Sequence, residues 1–322
     1  MKNKEKYLSQ LKTLYISVRK IFKHPIAQFA IILLTIIFIA YFVTNQYKSI
    51  RTYISDTSFD LHKLLLALIS TVIATLLGNI RWWTLLSWLG KKTDFLEISK
   101  YFSLSTLSKY IPGFIWQYAS RTFYMEKFKI PISLIGFAIA SEYILITAVG
   151  GILSSLTYLL TSPHRLTTNQ VLLAIIIILF LSIFIAYYPI IIKRFSHLLK
   201  IKIPNLQIIY YGSSLILIVV GWTVMSIAYW LIVNALNIQD FSFLTAFFYN
   251  ATSFTIGNLV IFIPNGIIVR ETVLVFLGGG LYNKIPMVIS SALFRILILL
   301  SELVSALLFL GFTEIRKIKK AS

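Results

Sequence analysis

The chain has no cysteine, and it is short of charge: 13% of its 322 residues are charged, and only 11 of these are acidic against 30 Lys and Arg. The missing cysteine excludes disulfides, thiol redox chemistry and Cys-ligated metal sites, and it is silent about compartment. The four histidines, His24, His62, His164 and His197, are scattered near the ends of apolar runs without metal-ligand spacing, so no metal is expected. No Gly-rich phosphate loop of the nucleotide-binding kind occurs; no cofactor is expected, and any use of ATP would need a partner. No cleavable signal is legible either. The first apolar run starts near residue 27, is 17 residues long and lacks a small-residue cleavage pattern after it, which predicts an anchor helix.

What is present is apolar. With 58% hydrophobic residues and a mean hydropathy of +0.83, the composition is that of an all-α polytopic membrane protein with no soluble module. The formal net charge of +19 could suggest nucleic acid, but the basic residues fall at the ends of apolar runs. Seven lie between Lys2 and Lys23; others are Lys91-Lys92, Lys127 and Lys129, Lys193-Arg194 with Lys200 and Lys202, and Arg316 to Lys320. Such clusters mark cytoplasmic loops, so the partner expected is a membrane and not a nucleic acid.

About 20 apolar residues cross the hydrocarbon layer. Six segments meet that length: 26–44, 62–89, 132–160, 171–192, 208–234 and 286–312. Two further apolar regions, about 95–126 and 243–283, are interrupted near their middles, at Tyr110-Ile-Pro-Gly113 and Phe262-Ile-Pro-Asn265. Proline removes a backbone donor and ends or kinks a helix, so each region reads as two half-helices broken at Pro112-Gly113 and at Pro264 to Gly266. If every basic cluster is cytoplasmic, both flanks of the first region face inward and both flanks of the second face outward. The expected fold is therefore six full spans plus two re-entrant broken-helix hairpins that enter from opposite faces of the cell membrane. Residues 1–25 form a basic cytoplasmic segment, 26–312 a single transmembrane domain and 313–322 a basic cytoplasmic tail.

The two hairpins read as copies. "YIPGFIWQYASR" is followed by "KIPISLIGFAIASEYILI", and "FIPNGIIVRE" by "KIPMVISSALFRILILLSE". Each has an Ile-Pro break, an arginine shortly after it, a Lys-Ile-Pro and a helix carrying an ionisable residue. An odd number of crossings separates them, which makes an inverted repeat, the architecture in which transporters hold substrate between freed half-helix ends.

Ionisable residues at membrane depth cost a few kcal/mol each and must pair or line an enclosed cavity. Arg81 lies ten residues before Lys91, about 15 Å into its helix. Glu142 is at similar depth, Arg121 and Arg270 follow the two breaks, Glu271 adjoins Arg270, and Arg295 and Glu302 share a face of the last span. If the three acids pair with three of the four arginines, one positive charge is left for an anion, and a guanidinium fork beside half-helix N-termini suits a phosphate. Simpler readings stand beside these. Arg295 with Glu302 could be a structural ion pair, Arg81 could snorkel to the interface, and Lys109 is expected to reach the cytoplasmic headgroups. Gly278-Gly279-Gly280 reads as a helix end and Gly150-Gly151 as close helix packing.

"KYIPGFIWQYASR" and "IPNGIIVRETVLVFL" followed by "ALFRILILLSEL" resemble the two signature regions of the flippase-like transmembrane family related to the lipid-flipping part of lysylphosphatidylglycerol synthase. The resemblance runs from about residue 60 to 312. Pro264, Gly266, Arg270, Glu271 and Arg295 fall on the family pattern, as do Tyr110, Pro112, Gly113 and Arg121; Asn265 and Ile268 replace glycines of it. The Trp and Gln after Pro-Gly also resemble members associated with surface polysaccharide synthesis. The aminoacyl-transferring domain of the synthase has no counterpart here.

The resemblance and the charges together imply a flippase or transporter for an anionic lipid, either a phospholipid or a polyprenyl-phosphate-linked glycan precursor. The expected substrate-binding residues are Arg81, Arg121, Arg270, Arg295, Tyr110 and Asn265, with Glu142, Glu271 and Glu302 pairing charge or carrying a coupling proton. Two alternatives are a membrane glycosyl- or phosphotransferase, for which the acid pair would be Asp94 with Glu97, and a non-catalytic scaffold for envelope-synthesis proteins.

Overall fold

A computed structural model describes residues 59–110, 116–161, 166–198, 206–238, 240–260, 269–278 and 284–321, together with 201 and 203. Among these there is no strand, and the helices are α1 (Leu61–Trp88), α2 (Phe95–Leu107), α3 (Trp116–Met125), α4 (Ile132–Thr161), α5 (Thr168–Leu198), α6 (Ile208–Ala235), α7 (Phe243–Leu259), α8 (Val269–Gly278) and α9 (Lys284–Ala321). Five of them, α1, α4, α5, α6 and most of α9, are long and apolar enough to cross a membrane. The chain is a multi-pass, all-α membrane protein. The expected first span, 26–44, and the breaks at Pro112, Gly113, Pro264, Asn265 and Gly266 lie outside the described residues.

Helix starts follow local chemistry. Asp60, Asp94 and Ser242 accept from the backbone N–H groups of Lys63, Glu97 and Thr245 at 3.1 to 3.2 Å, satisfying donors that a first helical turn leaves open. Both Lys-Ile-Pro sequences open helices. Pro131 directly precedes α4 and its carbonyl accepts from Leu134 and Ile135, while Pro286 sits in the first turn of α9, where its missing N–H costs nothing. The last helix was expected to end near 312, yet it runs to Ala321. Its 38 residues span about 57 Å, longer than the hydrocarbon layer, so the basic tail is a helical extension.

The packing is antiparallel between α1 and α6. The N–H of Gln207 donates to the Trp88 carbonyl at 3.1 Å, the Thr84 and Ser214 hydroxyls meet at 2.9 Å, and the N–H of Asp60 donates to the Ala235 carbonyl at 3.2 Å. This pair defines two ends of the molecule. At the end where α1 finishes, α2 begins, and Asp94 accepts from Arg316 of α9 at 2.6 Å. At the other end α6 finishes, and α7 begins beneath the indole of Trp230, which donates to the Phe241 carbonyl at 3.2 Å.

The two interrupted regions each double back. In the first, Glu97 meets Lys127 at 3.4 Å, Tyr101 stacks on Tyr124 at 5.2 Å, and Ser105 accepts from Arg121 at 3.2 Å, so α2 and α3 run antiparallel. In the second, the Tyr249 hydroxyl donates to the Leu277 carbonyl at 2.7 Å and Arg270 donates to Asn258 at 2.8 Å, so α7 and α8 do the same. The α2–α3 hairpin starts from one end of the molecule and the α7–α8 hairpin from the other.

Small and hydroxyl residues let the helices approach, as in other helix bundles that lack a hydrophobic drive for association. A Cβ at Gly150 would lie 2.6 Å from both Thr255 and Trp222, which accounts for glycine there. A buried chain joins α1, α2 and α9: Thr75 to Ser301 at 2.8 Å, Asn79 to Ser305 at 3.1 Å, and Ser103 to both Asn79 and Ser305 at 2.9 and 3.0 Å. It fastens the first hairpin to the last helix.

Candidate functional site

The deep ionisable residues form two separate centres. Glu142, on α4, accepts from Arg81 of α1 at 2.9 Å through one oxygen and from Arg121 of α3 at 2.6 Å through the other. Arg121 is 2% exposed, donates to Ser105, and packs beside the stacked rings of Trp82 and Phe102, 4.7 and 4.3 Å from their centroids. A guanidinium packed against two aromatic rings, hydrogen-bonded to Ser105 and paired with Glu142 has little surface left for a ligand. This centre ties the first hairpin to α1 and α4.

The second centre surrounds a partly open cavity of about 60 Å³ between the inner ends of the two hairpins and α9. The first hairpin contributes Lys109 and Tyr110, the second Phe254, Arg270, Glu271 and Leu274, and α9 contributes Ser291, Phe294, Arg295 and Ile298. Glu302, one turn beyond Ile298, is bonded by the Lys109 ammonium and by the Tyr110 hydroxyl, the latter at 2.9 Å. Arg295 pairs with Glu271. The space holds roughly four to six waters, at about 10–15 Å³ each.

Arg270 differs from the other three arginines. It makes no salt bridge among the described residues; its partners are the neutral Asn258 amide oxygen and the face of Phe254, whose centroid is 3.8 Å away. Its side chain lies over Gly257, where a Cβ would come within 2.6 Å of it, so the guanidinium depends on the absence of a side chain there. The Nε of Arg270 and the Oε2 of Glu271 are buried without a hydrogen-bond partner among the described residues. Asn258 is itself held: its amide donates to Thr147 at 3.3 Å, and its carbonyl accepts from the Tyr143 hydroxyl.

No family model matches the chain, and no curated protein matches it. The chemistry of the site therefore rests on its own residues.

Eight of the sequence-selected residues are divided by this geometry. Tyr110, Arg270, Glu271 and Arg295 line the cavity, whereas Arg81 and Arg121 sit apart with Glu142. Glu302 stands behind Lys109 and Tyr110. Asn265 lies outside the described residues. Three expectations are corrected. The acids do not each take one arginine, because Glu142 takes two and Glu302 takes a lysine. The ion partner found for Arg295 is Glu271 of the neighbouring half-helix rather than Glu302. Lys109 turns inward instead of toward the headgroups; it is half-buried at the hairpin's inner end, because Glu302 offers it a carboxylate there.

Lys109, Phe254, Gly257 and Asn258 were not selected from the sequence. Lys109 was within reach, since it directly precedes the Tyr-Ile-Pro break. The other three look like ordinary helix residues until α8 folds back along α7. The acid pair weighed for transferase chemistry is engaged in structural contacts, Asp94 as a helix cap bonded to Arg316 and Glu97 beside Lys127.

Proposed function

We propose that the chain moves an anionic lipid between the leaflets of the cell membrane, its headgroup passing through the cavity between the two hairpins. In this reading six spans and two hairpins form an inverted repeat, the hairpins enter from opposite membrane faces, both termini are cytoplasmic, and access alternates as one repeat rocks against the other. The resemblance to the flippase-like family points the same way. The observation that carries the proposal is Arg270, a half-buried guanidinium with no carboxylate partner among the described residues, on the wall of a cavity that both hairpins and α9 share. A charge largely withdrawn from water without a bonded counter-ion is costly, and an arriving phosphate would supply one with charge-assisted hydrogen bonds.

The test is reconstitution in liposomes with labelled lipids, comparing the intact chain with Arg270→Ala and Arg295→Ala. Loss of a hydrogen bond to a charged group is worth about 1.5–3 kcal/mol, so transport is expected to fall about ten- to a hundredfold in Arg270→Ala. Equal rates in all three proteins would remove the basis of the arginine site. Topology is open to cysteine labelling, which a cysteine-free chain makes clean. A cysteine at position 94 is expected to label from the cytoplasmic face and one at 240 from the opposite face; reaction of both from one face contradicts the arrangement.

A further inference from the structure

The charge balance around the cavity limits what it can take, and this inference rests on the transport reading above. Lys109 and Glu302 form one bonded pair, Arg295 and Glu271 another. Each pair carries no net charge, and for Lys109 with Glu302 this is so wherever the shared proton sits. What remains is Arg270, which stays protonated as guanidinium groups in proteins do. The segments that join the half-helices, 111–115 and 261–268, contain no Asp, Glu, Lys, Arg or His, and neither does 279–283. They add nothing to the count. The described walls thus carry one unpaired positive charge in an apolar surround of Phe254, Leu274, Phe294 and Ile298.

We infer that the cavity binds a lipid through a single, singly charged phosphodiester, and that it discriminates against pyrophosphate-linked lipids. A phosphodiester has one negative charge and neutralises Arg270. A pyrophosphate brings at least one more, which would stand uncompensated among apolar side chains at a depth where charge is costly. The cavity has room for one phosphoryl group with its oxygens. The inference narrows the substrate classes that the sequence left together: it admits a phospholipid or a glycan precursor joined to its polyprenol through one phosphate, and disfavours pyrophosphate-linked precursors.

The experiment measures binding to the full chain in nanodiscs of neutral lipid, with phosphatidylglycerol, a prenyl pyrophosphate, inorganic phosphate and inorganic pyrophosphate as probes. Phosphatidylglycerol is expected to bind at least about tenfold tighter than the prenyl pyrophosphate, a difference of about 1.4 kcal/mol. The decisive variant is Glu271→Gln. It leaves Arg295 without its acid, raises the wall charge by one, and is expected to shift the ratio of the two affinities toward the pyrophosphate. Because the ratio is read within one folded sample, a loss of overall affinity in the variant does not obscure it. Equal or tighter binding of the prenyl pyrophosphate by the intact chain overturns the inference, as does a ratio that Glu271→Gln leaves unmoved. Binding of inorganic phosphate that phosphatidylglycerol fails to displace overturns it too, because the source is then free phosphate. Transport is followed in parallel liposomes. Phosphatidylglycerol and the prenyl pyrophosphate moving at equal rates overturns the charge selectivity alone, whereas no movement of any lipid overturns the transport reading.

Discussion

The two arginine centres contain the same kinds of side chain and differ in what completes them. Arg81 and Arg121 converge on one carboxylate, Glu142, with Arg121 packed against two aromatic rings. Arg270 lies against one ring, bonds a neutral amide and borders open space. The first centre is finished by the protein and joins three helices, which is the work of structure. The second is left one anion short, which is the condition for binding. A buried arginine is therefore not a functional residue by virtue of depth alone; what matters is whether the protein itself supplies its counter-charge.

The sharpest way to break this contrast is Glu142→Gln, which leaves two guanidinium groups without their acid. Removing one partner of a buried ion pair costs about 3–5 kcal/mol, so the variant is expected to unfold well before the intact protein in denaturant titrations in detergent. A stability equal to the intact chain's would mean that this centre is not structural. Arg270→Gln provides the opposite arm. It removes a charge that no protein carboxylate satisfies, so stability is expected to change by about 1 kcal/mol or less while transport falls; a large loss of stability would make Arg270 another structural arginine.

Gly257→Ala is a finer probe. Its methyl group would lie 2.6 Å from the Arg270 side chain, which must shift. Overpacking of this kind costs about 1–3 kcal/mol, and transport is expected to fall partway toward the Arg270→Gln level. Full activity would mean that the position of this guanidinium is not critical.

The smallest effect is expected at Asp94. Burial raises its carboxyl, but the bond from Arg316 and the backbone N–H of Glu97 outweigh this and hold it below the usual carboxylate range. A lowered folded-state value means that the contribution is present above the ordinary Asp value of about 3.9 and is lost as pH falls through the folded value. Both side chains are about two-fifths exposed, so solvent screens the pair and Asp94→Asn should cost at most about 1 kcal/mol near neutrality. Its stability should also fall less steeply than that of the intact chain as pH drops below about 4. Equal acid sensitivity in the two proteins would show that the contact does not titrate with folding.

Much of this was legible in the chain. Five of the six expected spans correspond to α1, α4, α5, α6 and α9, because each apolar run is long and bounded by charge or turn residues. The Ile-Pro breaks divided the two remaining regions into half-helices where α2 and α3, and α7 and α8, are found. That Glu142, Arg295 and Glu302 lie within long apolar helices followed from spacing alone. The pairing did not. Lys109 and Glu302 are 193 positions apart, and a lysine next to a helix break can extend its stem toward the headgroups or inward. Arg81 and Glu142 lie 61 apart on helices whose mutual rotation sets whether they meet.

By itself, then, the order of residues determined the class of protein, the helices and their interruptions, because these depend on hydropathy, proline and capping groups that act within a few turns. It also placed charge within long apolar helices. Only the tertiary structure decided which charges cancel. Coulomb attraction and desolvation act over a few ångströms between helices distant in the chain, and those distances exist only once α8 has folded back along α7 and both hairpins have met α9.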